Sequence, residues 1–154
     1  MMLHTPFLDA FGIQAGDTVA IAGSGGKATL MYRLAAEAVS RGYTVITTST
    51  THLHPPTSLQ TNGLYIMEEI SNWLQVIPGD LDRHQHVTVL GGRPRPDKLR
   101  GLSLKDLDLL KKVCRPDLCL VKADGARTRL FKAPGFHEPV VPAWTTHDMV
   151  VVNL

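Results

Sequence analysis

Hydrophobic positions along this chain follow two rhythms, short continuous runs and stretches with three- and four-residue spacing. Residues 18–22 form an apolar run between Gly16–Asp17 and a glycine cluster, which predicts a buried parallel strand. Leu30, Met31, Leu34, Ala35, Ala38 and Val39 then recur at helical spacing, and Gly42 supplies a stop. Residues 44–51 are rich in β-branched side chains and predict a second strand, after which Pro55 and Pro56 break the chain. Residues 64–67 predict a third strand leading into a weak helix over 69–75. A fourth strand over 87–90 ends in a loop containing Gly91, Gly92, Arg93, Pro94, Arg95 and Pro96. Ser103 followed by Asp106 resembles a capping box with a shorter acid. It opens a helix whose Leu104, Leu107, Leu110 and Cys114 line one face. Residues 118–121 and 149–152 predict the fifth and sixth strands. Strands alternating with helices imply an α/β fold of three layers, a mainly parallel sheet with helices on both faces. No internal repeat or low-complexity segment interrupts the pattern.

Composition narrows the class. The chain has 154 residues, 44% hydrophobic and 19% charged, consistent with residues 1–154 forming a single globular domain. A formal net charge of +2 gives no reason to expect nucleic acid or an acidic membrane surface as a partner. Cys114 and Cys119 are too few for a disulfide framework or a zinc ligand set, and read as small apolar residues in a reducing compartment. No basic leader precedes an apolar run, and no apolar stretch approaches ~18 residues. A cytoplasmic protein without a membrane partner is expected.

The chemistry concentrates at predicted strand ends. Gly23, Ser24, Gly25, Gly26 and Lys27 lie between the first strand and the first helix, the context a phosphate-binding loop requires. Glycines let backbone N–H groups turn toward an anion, the helix N-terminus adds partial positive charge, and Lys27 adds a full one. The same residues also suit a tight strand–helix turn without a ligand. Position 21 is Ile where the standard loop has its first glycine, so Gly23 gives the shorter G-x-x-G-K spacing, resembling the loop of Mur-type amide ligases. Ala28 stands where magnesium ordinarily finds a hydroxyl. Thr29 lies about 100° further round the helix, a poor geometric substitute as a metal ligand.

Two further clusters fall at carboxyl ends of predicted strands, where open α/β sheets place ligands. One is the hydroxyl run of Thr47, Thr48, Ser49, Thr50 and Thr51; the other is Lys122, Ala123, Asp124, Gly125, Ala126 and Arg127. An apolar strand ending in an acid has the form of a second phosphate-loop signature, with Asp124 as the group that holds magnesium. β-propensity alone explains the threonines equally well, and a turn explains Asp124–Gly125. Period-2 alternation puts Leu118, Leu120, Lys122 and Asp124 on one face, so an ammonium leans toward the same region.

Taken in order, the glycine loop, the threonine run, Lys98 to Gly101, Ala123 to Ala126, and Lys132 through His137 and Glu138 to Pro142 resemble the YqeC-type proteins. These are described as accessory proteins of selenium-dependent molybdenum hydroxylases. The resemblance runs from about Asp17 to Pro142. It implies a P-loop NTPase-like α/β domain acting in maturation of, or selenium insertion into, a molybdenum enzyme. It also implies that Gly23, Gly25, Gly26, Lys27 and Thr29 hold the phosphates of ATP or GTP, with Ser24 of the loop and Thr48 of the hydroxyl run as further candidates. Asp124 would be the acidic strand end, a catalytic and metal-holding group. Lys132, His137 and Glu138 would belong to the second signature, although a His-Glu pair in a loop also reads as ordinary surface. Arg127 is an anion-binding candidate because it follows Asp124. Three departures stand out: Ala28 replaces a threonine, Lys122 replaces a glutamate, and the family pattern continues beyond position 154. The first two weaken the expected grip on Mg²⁺ and with it hydrolysis.

Other candidates are less specific. His52 with His54 and His84 with His86 have the spacing of metal pairs without a third ligand, and read as exposed loop histidines. Arg93, Arg95, Lys98 and Arg100 suit an anionic cofactor or a solvated loop. The sequence thus predicts a nucleotide-binding accessory protein for a molybdenum hydroxylase client. The alternatives are a non-catalytic module for a nucleotide or a molybdopterin-type cofactor, and a fragment of an ATP-dependent Mur-like ligase.

Overall fold

The computed structural model describes residues 6–124 and 140–152. Nine strands and four α-helices are assigned among them. The main sheet contains β1 (Asp17–Gly23), β2 (Val45–Ser49), β4 (Leu64–Ile66), β5 (His86–Leu90), β8 (Leu118–Lys122) and β9 (His147–Val151). Its order is β4-β5-β2-β8-β1-β9 and every neighbouring pair is parallel. Helices α1 (Phe7–Ala10), α2 (Lys27–Ser40), α3 (Trp73–His84) and α4 (Leu104–Cys114) cover it.

Alternation along the strands builds two cores. Val19, Ile21, Val45, Leu118 and Leu120 pack with Leu8, Met31, Leu34, Ala35 and Ala38 from α1 and α2. Ile46, Val87, Val89, Cys119 and Val121 face the other way, onto Ile77 and Leu81 of α3 and Leu107 and Leu110 of α4. The three-layer architecture expected from the sequence is therefore present. Ser103 caps α4, its side chain accepting the Asp106 backbone N–H at 3.1 Å.

Three details differ from the sequence reading. The weak helix expected over 69–75 is instead α3, running through Pro78 to His84, preceded by a short 3₁₀ turn at Met67–Glu69. Burial of Ile77 and Leu81 outweighs the local cost of an interior proline. Leu104 is exposed rather than on the buried face of α4. The Gly–Arg–Pro segment is a hairpin, β6 (Gly92–Arg95) and β7 (Lys98–Arg100), which joins β3 (His52–Leu53) in an antiparallel sheet of order β3-β7-β6. Pro94 is tolerated because β6 is an edge strand. This small sheet sits at the carboxyl end of β2, where the Leu102 N–H donates to the Ser49 carbonyl at 2.8 Å.

Candidate functional site at the carboxyl ends of the first and eighth strands

The chain passes from β1 through α2 to β2, but β8 lies between those two strands. The β1–β8 register pairs Ile21 with Lys122, so two residues further on Gly23 and Asp124 come level. The glycine loop and the acidic strand end therefore meet. Asp124 Oδ2 accepts the Gly23 N–H at 3.1 Å, and its Oδ1 is ion-paired with Lys27 Nζ. Lys27 Nζ also donates to the Asp124 carbonyl at 3.1 Å. Lys27 and Asp124 are 3% and 4% exposed, so this is a buried charge pair with its hydrogen bonds provided.

The loop's glycines answer to different demands. Gly23 has φ 121°, and a Cβ there would lie 2.0 Å from the Val151 carbonyl oxygen. Glycine at 23 is thus required by the close passage of β9, a tertiary constraint beyond both the ligand and the tight turn expected from the sequence. Gly26, the residue before α2, has φ 71° and only the Val151 side chain near its missing Cβ, at 3.7 Å. Among the described residues no side chain caps α2, and its first turn carries no acid. Its amino end keeps its partial positive charge. Ser24 is buried, and its N–H donates to the Val151 carbonyl at 2.8 Å.

Other predicted residues are dispersed. Thr29 is exposed, while Ala28 packs against the α2-side core. Thr48 lies on the opposite face of β2 from Thr47; it is fully buried and donates to the Val89 carbonyl at 2.6 Å. Its hydroxyl holds two strands together within the sheet. Ser49 Oγ donates to the Lys122 carbonyl at 3.0 Å and Thr50 Oγ1 to the Val140 carbonyl at 2.7 Å. Lys122 Nζ donates to the His52 carbonyl at 2.8 Å. Arg127, Lys132, His137 and Glu138 lie outside the described residues. The Val140 N–H donates to the Ala123 carbonyl at 3.0 Å.

The histidine reading needs one correction. His52, His54 and His84 are exposed, but His86 is buried, 4% exposed, and hydrogen-bonded through Nε2 to Thr47 Oγ1 at 3.0 Å. Thr47 Oγ1 also meets Thr88 Oγ1 at 2.7 Å. Burial lowers the His86 pKa to about 4, so the ring is neutral at pH 7. Burial likewise pushes the Cys119 thiol up to about 12 and the Cys114 thiol up to about 11. Both are inert thiols at neutral pH.

The described residues do not fit magnesium well. Ala28 offers no oxygen, and both carboxylate oxygens of Asp124 are engaged by Lys27 and Gly23. Among the described residues no group of three His, Cys, Asp or Glu side chains could hold a metal ion. No described helix is long and apolar enough to cross a membrane.

Comparison with known proteins bears on this arrangement. The family model described as "YqeC protein" matches residues 19–154, from β1 through both halves of the site. The chain belongs to the YqeC protein family. A relative named "Uncharacterized protein YqeC", from Escherichia coli (strain K12), is 29% identical over 140 residues. That alignment covers 85% of this chain and 50% of the relative, so the chain spans half the length of the curated relative it matches. No solved structure gives a significant match. Membership thus rests on the sequence match, whose span includes Lys27 and Asp124.

Proposed function

We propose that the glycine loop binds the phosphates of a nucleotide, ATP or GTP, which replace the Asp124 carboxylate as the anion it holds. The observation that carries this reading is the way Asp124 is bound. One carboxylate is gripped by a loop N–H and by a buried lysine at the foot of an uncapped helix. Those donors suit any compact oxyanion, and a phosphate presents more oxygens and more charge than a carboxylate. Gly26 supports the reading because its left-handed turn leaves the approach to α2 free of a Cβ.

In this reading Lys27 neutralises phosphate charge and Gly26 shapes the turn. Asp124 competes for the loop's donors and is a hydrogen-bond acceptor beside the loop once displaced. The poor match to magnesium favours a protein that holds a nucleotide without rapid turnover. The client, a selenium-dependent molybdenum hydroxylase under maturation, comes from the family resemblance. A phosphate-bearing cofactor of the molybdopterin-nucleotide type is the second reading, favoured by the same magnesium-poor donor set.

Calorimetric titration with ATP and GTP, with and without magnesium, tests binding, and phosphate release tests turnover. Saturable binding lost in Lys27→Ala supports the proposal. Absence of binding for every nucleotide, in native protein and variant alike, removes it.

A further inference from the structure

The small antiparallel sheet carries a charge arrangement that the glycine loop does not use. Leu53 and Leu99 are its buried positions, so alternation puts His52, Lys98 and Arg100 on the outer face. Pairing sets His52 directly opposite Arg100, and Arg95 directly opposite Lys98. The Arg95–Lys98 pair puts like charges directly across antiparallel strands, which is destabilising. Lys122 extends the same basic region, with its ammonium on the His52 carbonyl. Acids answer part of this charge: Arg100 pairs with Glu68, and Arg95 with Asp97 at 3.4 Å. Both pairs are largely exposed, where an ion pair contributes little. The pKa of His52 is lowered by desolvation first and then by Lys98, Lys122, Arg95 and Arg100.

We propose that the outer face of the β3-β7-β6 sheet is a binding site for a small oligophosphate, with Arg95, Lys98 and Arg100 as its contacts and His52 beside Arg100 on the β3 edge. The strands carry repulsion that a bound polyanion removes, so the face is organised for a ligand of opposite charge. Size selects the class. Strands lie about 5 Å apart and rise about 3.3 Å per residue, so the cations fall within roughly 10 Å. That span accommodates two or three linked phosphates. It is short for a nucleic-acid track, and Glu68, Glu69 and Asp97 border it with negative charge. The site contains neither Lys27 nor Asp124 and stands independently of the nucleotide reading.

Sodium tripolyphosphate serves as the probe, titrated calorimetrically at fixed ionic strength into native protein, Arg95→Ala/Lys98→Ala, Lys27→Ala, and the three substitutions combined. Losing two charged contacts is expected to weaken binding on the order of tenfold, while Lys27→Ala retains binding at this face. Because the double variant relieves repulsion, it is expected to melt no lower than the native protein, which separates lost binding from lost fold. Tripolyphosphate affinity left unchanged when Arg95→Ala/Lys98→Ala is added to Lys27→Ala, which disables the glycine loop, overturns the proposal. So does a single-stranded 20-nucleotide DNA that binds more tightly than tripolyphosphate through the same residues, since the face would then be a nucleic-acid surface.

Discussion

Lys27 and Asp124 stand 97 positions apart in the chain, yet the lysine ammonium contacts both the carboxylate and the backbone carbonyl of Asp124. The contact follows from β8 lying directly beside β1. With both residues almost wholly buried, removing either partner leaves a charge in a low-dielectric site without its counterion. Lys27→Ala and Asp124→Ala are each expected to cost about 3–5 kcal/mol. The double variant should cost clearly less than the sum. Urea unfolding of the three variants checks this, and simple additivity would show that the pair is not coupled.

Gly23 and Gly26 separate structural from ligand-binding demands. Gly23→Ala drives a Cβ into the Val151 carbonyl and should dislodge β9, with a loss of several kcal/mol, on the order of a severe core clash. Gly26→Ala meets only an ordinary contact with the Val151 side chain among the described residues, at a left-handed φ, and should cost only about 1–2 kcal/mol. Hydrogen exchange over 147–151 reads the difference: fast in the first variant and native-like in the second.

Acid should act through His86. Its imidazole takes up a proton near pH 6.5 in the unfolded chain but only near pH 4 in the fold. Between those values the unfolded state binds more protons, so stability rises with pH. The contribution is complete above pH 6.5 and is lost as pH falls toward 4, reaching roughly 3 kcal/mol. Urea midpoints at pH 4 to 7 for native protein and His86→Asn test this, and the variant should show a flatter profile.

Magnesium dependence should be restorable. Ala28→Thr supplies a hydroxyl at the start of α2, and Lys122→Glu exchanges an ammonium for a carboxylate near the end of β8. Together they are expected to make nucleotide binding tighter in magnesium than in EDTA, by about tenfold or more, whereas the native protein shows little difference. An unchanged ratio would count against the role assigned to these two positions.

Much of the fold was legible because apolar runs and helical spacing report burial directly. Val19 and Ile21, Leu118 and Leu120, and the Met31–Leu34–Ala38 face all pack as their periodicity implies. α3 was less legible because Pro78 and Gly79 are local breakers, while the anchoring contacts of Ile77 and Leu81 are tertiary. The hairpin over 92–100 was hidden by its prolines, which an edge strand accommodates. His86 looked exposed beside His84 and Gln85; only pairing of β5 with β2 brings it to Thr47. At the site, strand ends and glycines pointed to Lys27 and Asp124. The face on which Thr48 falls depended on which side of β2 meets α2, which no local pattern encodes.

The exchange of Asp124 for phosphate is tested most directly by titrating ATP, in magnesium-free buffer, into native protein, Asp124→Asn and Lys27→Ala. Neutralising the competing carboxylate while keeping its shape should tighten binding by about tenfold, and removing the ammonium should abolish it. ATP should also raise the melting temperature of Asp124→Asn more than that of the native protein, because the bound phosphate resupplies a counterion to Lys27. Equal affinity in all three proteins, or loss of binding in Asp124→Asn with the fold intact, would contradict the account.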